Sequence, residues 1–140
     1  MARETLQSTV LVVEGDKNLA RLVSRILREA GFSVQQAETG ADALVAIDGG
    51  AVDAVVLDLG LPDGMGGAVL SRLRELRAAV DGSYKPVWVS TSARDIGEIR
   101  RLYGNPGPLF IPKPFDPWNL AGLLRKTIAE RRKQAENPES

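Results

Sequence analysis

The chain reads as a single doubly wound α/β domain, a five-stranded parallel sheet with five helices covering both of its faces. Three observations predict this. Short apolar runs alternate five times with segments of helical period. The runs are continuous in Val and Leu rather than alternating with polar residues, the pattern of strands buried on both faces. Five repeats of strand then helix also require right-handed crossovers, which make the strands parallel.

The strands are Val10–Val13, Phe32–Ala37, Ala54–Leu57, Val87–Val89 and Leu109–Ile111. Pro86 stands at the start of the fourth, where a missing N–H costs least. In the first helix Leu19, Leu22, Val23, Ile26 and Leu27 recur at spacings of three and four and share one face. Asp16 is placed to cap that helix, and Ala30-Gly31 to stop it. Ala43, Leu44 and Ile47 mark a second helix that ends at Gly49-Gly50, and Val69, Leu70, Leu73 and Leu76 mark a third. The fourth carries Ile96, Ile99, Leu102 and Tyr103 and stops at Gly104 and the Pro-rich 105–108. The fifth opens with Asp116-Pro117, a cap followed by a first-turn proline, and runs through Leu120, Leu123, Leu124 and Ile128.

With 140 residues, one domain buries about two-thirds of its unfolded surface. The expected boundaries are an N-terminal tail 1–8, the domain 9–130 and a polar tail 131–140. Basic and acidic residues balance at 18 each, so no global charge draws the chain to nucleic acid or to an anionic membrane. Arg72, Arg74, Arg77, Arg100 and Arg101 are read as solvated helix faces. The absence of Cys and His excludes disulfides, thiol nucleophiles, imidazole metal sites and Ser-His arrangements. No apolar run approaches the roughly 18 residues of a membrane span, and no signal-peptide core is visible. A cytoplasmic domain is the expectation.

In a doubly wound sheet the functional surface lies beyond the carboxyl ends of the strands. Strand one leads into Glu14-Gly15-Asp16, strand three into Asp58, strand four into Ser90-Thr91-Ser92 and strand five into Pro112-Lys113-Pro114. Carboxylates, hydroxyls and an ammonium therefore meet at one edge. Clustered carboxylates repel unless a cation sits between them, and oxygen ligands without His or Cys favour Mg²⁺. A carboxylate in line with a phosphoryl donor can attack it and form an acyl phosphate. Lys113 and the Thr91 hydroxyl are placed to meet the phosphoryl oxygens. Gly64, Gly66 and Gly67 are loop glycines and make no nucleotide-binding fingerprint.

These residues resemble the signature of the response-regulator receiver family of two-component systems, from Val10 to Ile128. Val55-Val56-Leu57-Asp58-Leu59-Gly60-Leu61-Pro62 resembles the phosphoacceptor strand and its loop. Pro86–Thr91 resembles the fourth strand with its switch hydroxyl, and Phe110–Phe115 the Lys-Pro motif preceded by a switch aromatic. The resemblance implies a flavodoxin-like fold with Asp58 as phosphoacceptor, Thr91 and Lys113 at the phosphoryl group, and Thr91 with Phe110 as the switch. It implies a cis bond before Pro114. Mg²⁺ would be held by Asp58, Glu14 and the Gly60 carbonyl, with Asp16 as a further candidate. The expected partners are a sensor histidine kinase or histidine phosphotransfer protein. A homodimer would use the face of the fourth helix, fifth strand and fifth helix.

One departure weakens the expected Mg²⁺ site: the family's second adjacent acid is here Gly15. Two functions follow, a phosphorylated switch or a receiver acting as an interaction module without phosphate. An enzyme of the same topology would need a general acid or a cofactor loop that the sequence lacks.

Overall fold

The computed structural model describes residues 8–80 and 84–136, which includes ten elements. In chain order these are β1 (Thr9–Val13), α1 (Lys17–Glu29), β2 (Ser33–Ala37), α2 (Gly40–Asp48), β3 (Ala54–Asp58), α3 (Gly66–Ala78), β4 (Val87–Ser92), α4 (Ile96–Tyr103), β5 (Phe110–Pro112) and α5 (Pro117–Glu136). All strand pairs are parallel, in the order β2-β1-β3-β4-β5.

Side chains alternate across a strand, so each central strand feeds two cores. Val10, Val12, Val56 and Val89 pack with Val23, Leu27, Leu120 and Leu124, in the layer covered by α1 and α5. Leu11, Val13, Leu57 and Trp88 pack with Ile47, Leu70, Leu73 and Ile99, in the layer covered by α2, α3 and α4. The three central strands are buried along almost their whole length, as their continuous apolar runs require. Strand β2 departs from that pattern: it is an edge strand, and only Ala37 is buried. With one side open to water, Gln35 and Gln36 stand where a central strand would need Val or Leu.

The helix starts follow capping chemistry. The Asp16 carboxylate accepts from the N–H groups of Asn18 and Leu19 at 2.9 and 3.2 Å. Asp95 caps α4 through Glu98 N–H, and Asp116 accepts from Trp118 N–H at the start of α5. The start of α2 is held from two sides. Thr39 Oγ1 accepts from Asp42 N–H, while Asp63, from the β3–α3 loop, accepts from Gly40 and Ala41 N–H at 3.1 Å each. The carboxylate of Asp63 thus straps that loop onto the positive end of α2.

Two sequence readings change. Helix α5 runs on to Glu136, past Arg131, where the polar tail was expected to begin. Ala, Glu, Arg, Lys and Gln are strong helix formers, so the helix continues after its apolar period stops. Arg131 donates to the Lys85 carbonyl at 2.6 Å, and Arg132 to Ser8 Oγ at 2.8 Å. Ser8, assigned to the N-terminal tail, is buried; the rest of that tail and 137–140 lie outside the described residues. The arginines of α3 are also more than a solvated face. Arg72 pairs with Asp48 and Glu75. Arg74 donates to the carbonyls of Tyr103 and Asn105, and Arg77 lies 5.7 Å over the Trp88 ring.

Leu57 lies fully buried in the second core. Leu57→Ala is expected to lose about 2–5 kcal/mol in a urea unfolding titration. For Asp63, desolvation raises the carboxyl pKa, but the amide donors of Gly40, Ala41 and Met65 outweigh it and hold the pKa below its ordinary value. A depressed carboxyl pKa contributes stability above the unfolded value, and that contribution is lost as pH falls through the folded one. Asp63→Ala should therefore lower the melting temperature at pH 7. The gap to wild type should narrow once pH drops past about 4, which calorimetry across pH 2–7 would read.

Candidate functional site

The alternation that builds the two cores also assembles the site. Continuing the Val10, Val12 parity reaches Glu14, and continuing Ala54, Val56 reaches Asp58. Thr91 pairs with Asp58 in register, and Ile111 pairs with Thr91, which puts Lys113 on the same parity. Four of the sequence-predicted residues thus share one side of the sheet at its carboxyl edge. Ser90 has the opposite parity, and its hydroxyl donates to the Pro106 carbonyl at 2.7 Å. Ser92 Oγ accepts from Arg94 N–H. Both neighbours of Thr91 are therefore occupied elsewhere.

Glu14 and Asp58 are only 5% and 6% exposed, and Thr91 is buried. Lys113 Nζ lies between the two carboxylates, 2.8 Å from Glu14 Oε1 and 3.3 Å from Asp58 Oδ2. The backbone holds the remaining oxygens. Gly60 N–H donates to Asp58 Oδ1 at 2.9 Å, and Asp16 N–H donates to Glu14 Oε2 at 3.1 Å. The Thr91 hydroxyl has a long contact of 3.5 Å to the Leu57 carbonyl, so little ties it to its present orientation. Lys113 N–H bonds the Ser92 carbonyl at 2.8 Å, and the Lys113–Pro114 bond is cis, as expected. Phe110 is half-buried against the second core.

The electrostatics follow from burial. Desolvation pushes the Glu14 carboxyl pKa up, and the Asp58 charge pushes it further. The Lys113 ammonium and the Asp16 amide pull it back only in part. For Lys113 desolvation acts downward, but the hydrogen bond to Glu14 and the charges of both carboxylates outweigh it and raise its pKa. The ammonium between them offsets part of the repulsion between the two carboxylates.

The carboxylates present do not make the acidic cluster expected to hold Mg²⁺. No group of three or more candidate metal-ligating side chains forms among the described residues. Gly15 offers no ligand, and a Cβ at that position would lie 2.8 Å from Pro62 Cδ, so the β3–α3 loop closes over it. Asp16, the alternative ligand, is exposed, and one of its oxygens is used in capping α1. Gly60 N–H donates to Asp58 Oδ1, while the carbonyl assigned to the ion belongs to the following peptide group. Of the expected side-chain ligands Glu14 and Asp58 remain, and Lys113 already bridges them.

Sequence reasoning missed two residues of this neighbourhood. Asp63 was not among the residues singled out, and its bonds to the start of α2 join positions 22 and 23 apart, which no local capping signal indicates. Tyr103 was read only as an apolar helix position, yet its hydroxyl donates to the Leu59 carbonyl at 3.2 Å. No sequence signal indicates that contact, since it joins residues 44 positions apart.

The family model described as "Response regulator receiver domain" matches residues 10–125. The transcriptional regulatory protein TcrA of Mycobacterium tuberculosis is 36% identical over 118 residues, covering 83% of this chain and 44% of TcrA. The regulatory protein VanRc of Enterococcus gallinarum is 30% identical over 88% of this chain and 51% of its own length. The chain thus spans about half or less of these two relatives. The signal receiver domain of a Luxo repressor protein from Vibrio parahaemolyticus superposes with a TM-score of 0.76, at 22% identity, over 96% of this chain and 98% of that one. That last likeness speaks to the fold alone. The family match covers the five strands except Thr9, together with each of the four residues gathered at the carboxyl edge, and by it the chain belongs to the response regulator receiver domain family.

Proposed function

We propose that this receiver domain is a phosphoacceptor switch with Asp58 as its nucleophile. The observation that carries the reading is the placing of Lys113 Nζ 3.3 Å from Asp58 Oδ2, with Thr91 beside Asp58 in register. An Asp58 oxygen attacks the phosphorus of a phosphohistidine on a sensor kinase or phosphotransfer protein. The P–N bond breaks, the imidazole leaves, and an acyl phosphate forms on Asp58. Lys113 swings from Glu14 toward the incoming phosphoryl oxygens, and Thr91 turns its loosely held hydroxyl onto one of them. Water later cleaves the acyl phosphate and returns the carboxylate. The domain, spanning about residues 9–130, is a signalling switch rather than an enzyme with a diffusible substrate.

Movement of Thr91 frees space for Phe110 and alters the face made by α4, β5 and α5, where an output partner or a second copy would dock. A kinase that phosphorylates such a domain keeps its phosphohistidine in the cytoplasm, where we place this chain. No helix among the described residues is long and apolar enough to cross a membrane.

A second reading has its own observation. Pro62 over Gly15 and the ammonium between Glu14 and Asp58 describe an edge whose charge is neutralised without a divalent ion. In that reading the domain binds its partner without phosphate.

Incubation with acetyl phosphate, followed by intact mass measurement, separates the two. An added phosphoryl mass on wild type that is missing from Asp58→Asn supports the switch. No addition at any Mg²⁺ concentration supports the phosphate-independent module. Given the missing acid, the phosphorylation rate is expected to respond weakly to Mg²⁺, and Lys113→Ala to slow it on the order of 100-fold. Asp58→Asn should also raise stability by about 1 kcal/mol in a urea titration, since it leaves Lys113 with one buried carboxylate to balance instead of two.

A further inference from the structure

The peptide group between Leu59 and Gly60 is engaged at both ends. Its N–H, on Gly60, donates to Asp58 Oδ1 at 2.9 Å; its C=O, on Leu59, accepts from the Tyr103 hydroxyl at 3.2 Å. These two groups lie in one rigid plane and point in opposite directions. A rotation that follows the carboxylate at one end must therefore move the oxygen at the other.

The surroundings are shaped to this arrangement. A Cβ on Gly66 would come within 2.3 Å of the Leu59 oxygen, so only glycine lets α3 start beside that carbonyl. A Cβ on Gly67 would meet the Tyr103 ring at 3.2 Å, so the ring lies against the backbone of α3. The adjacent glycines make room for the carbonyl and for the tyrosine that binds it. Leu59 is itself fixed, since its N–H donates to the Thr91 carbonyl at 3.0 Å and its side chain is buried. The plane is held through both its N–H and its C=O, so a displacement of either end is felt at the other.

At the far end stands a helix with few other attachments. Ile99 is the buried residue of α4, while Leu102 is exposed. Tyr103 fixes the carboxyl end of α4 through its hydroxyl, and its own carbonyl accepts from Arg74 at 2.8 Å. Phe110 has no hydroxyl and cannot make such a bond.

We propose that Tyr103 is a positioning residue for Asp58, and that the Leu59–Gly60 peptide carries a change of charge at Asp58 directly to α4. This route is separate from Thr91 and Phe110. It deepens the phosphoacceptor reading, but its test uses the charge of Asp58 rather than a phosphoryl group, so the two can fail independently.

The test is a double-mutant cycle read by amide NMR. In the otherwise native chain, Asp58→Asn should shift the Gly60 amide and the amides of Ile96–Gly104. Combined with Tyr103→Phe, which keeps the ring on Gly67, the Gly60 shift should persist while the α4 shifts fall by about half or more. A purely structural tyrosine would leave the α4 response unchanged. Equal α4 shifts with and without the hydroxyl would overturn the proposal, as would an α4 that ignores Asp58→Asn altogether. Should the double variant not fold, the ¹³Cζ resonance of Tyr103 in the native chain replaces it. Movement of that resonance on Asp58→Asn supports the route, and a fixed resonance removes it.

Discussion

Two carboxylates, each almost entirely out of water, face a single ammonium at the carboxyl edge of the sheet. This balance governs the rest of the site. Burying two carboxylates side by side is costly unless a cation lies between them, and the lysine is delivered there by the last strand. β5 is short and lies at the edge of the sheet, but its pairing with β4 brings Lys113 N–H to the Ser92 carbonyl and the side chain back across the sheet. The parallel sheet, its register and the side-chain alternation together put one positive group between two negative ones.

The backbone completes what Lys113 leaves unmet. Amide N–H groups from Gly60 and Asp16 each take one carboxylate oxygen. The loop that carries Gly60 is held from several directions: Pro62 seats on Gly15, Asp63 binds the start of α2, and Tyr103 holds the Leu59 carbonyl. The Asp58 carboxylate is thus surrounded by elements fixed by hydrogen bonds, with Thr91 less firmly held than its neighbours. The loose hydroxyl beside rigid surroundings suits a group that reorients when the charge nearby changes.

Gly15 matters both for what it lacks and for where it lies. Its missing side chain removes one expected ligand, and the space has been taken by Pro62. The consequence is an edge in which the protein's own cation occupies the position of balance. Whether phosphoryl transfer or a phosphate-independent contact is the working event, the charge arithmetic at Asp58 begins from that ammonium.

By itself the sequence determined the architecture: five apolar runs, five helical periods and their caps led to the parallel sheet, because local pattern and connection handedness leave few alternatives. It placed Asp58, Thr91 and Lys113 at one edge as well, since strand ends in such a sheet converge there. It overstated the burial of β2, because a run of residues does not reveal which strand lies at the edge. It ended α5 too soon, because hydrophobic period stops before helix propensity does. Tertiary structure alone decided which cation balances the carboxylates, that Asp16 is given to capping, that Asp63 straps α2, and that Tyr103 reaches Leu59. Those contacts join residues far apart in the chain. Their geometry depends on how loops close over the sheet, and no local propensity or spacing encodes that closure.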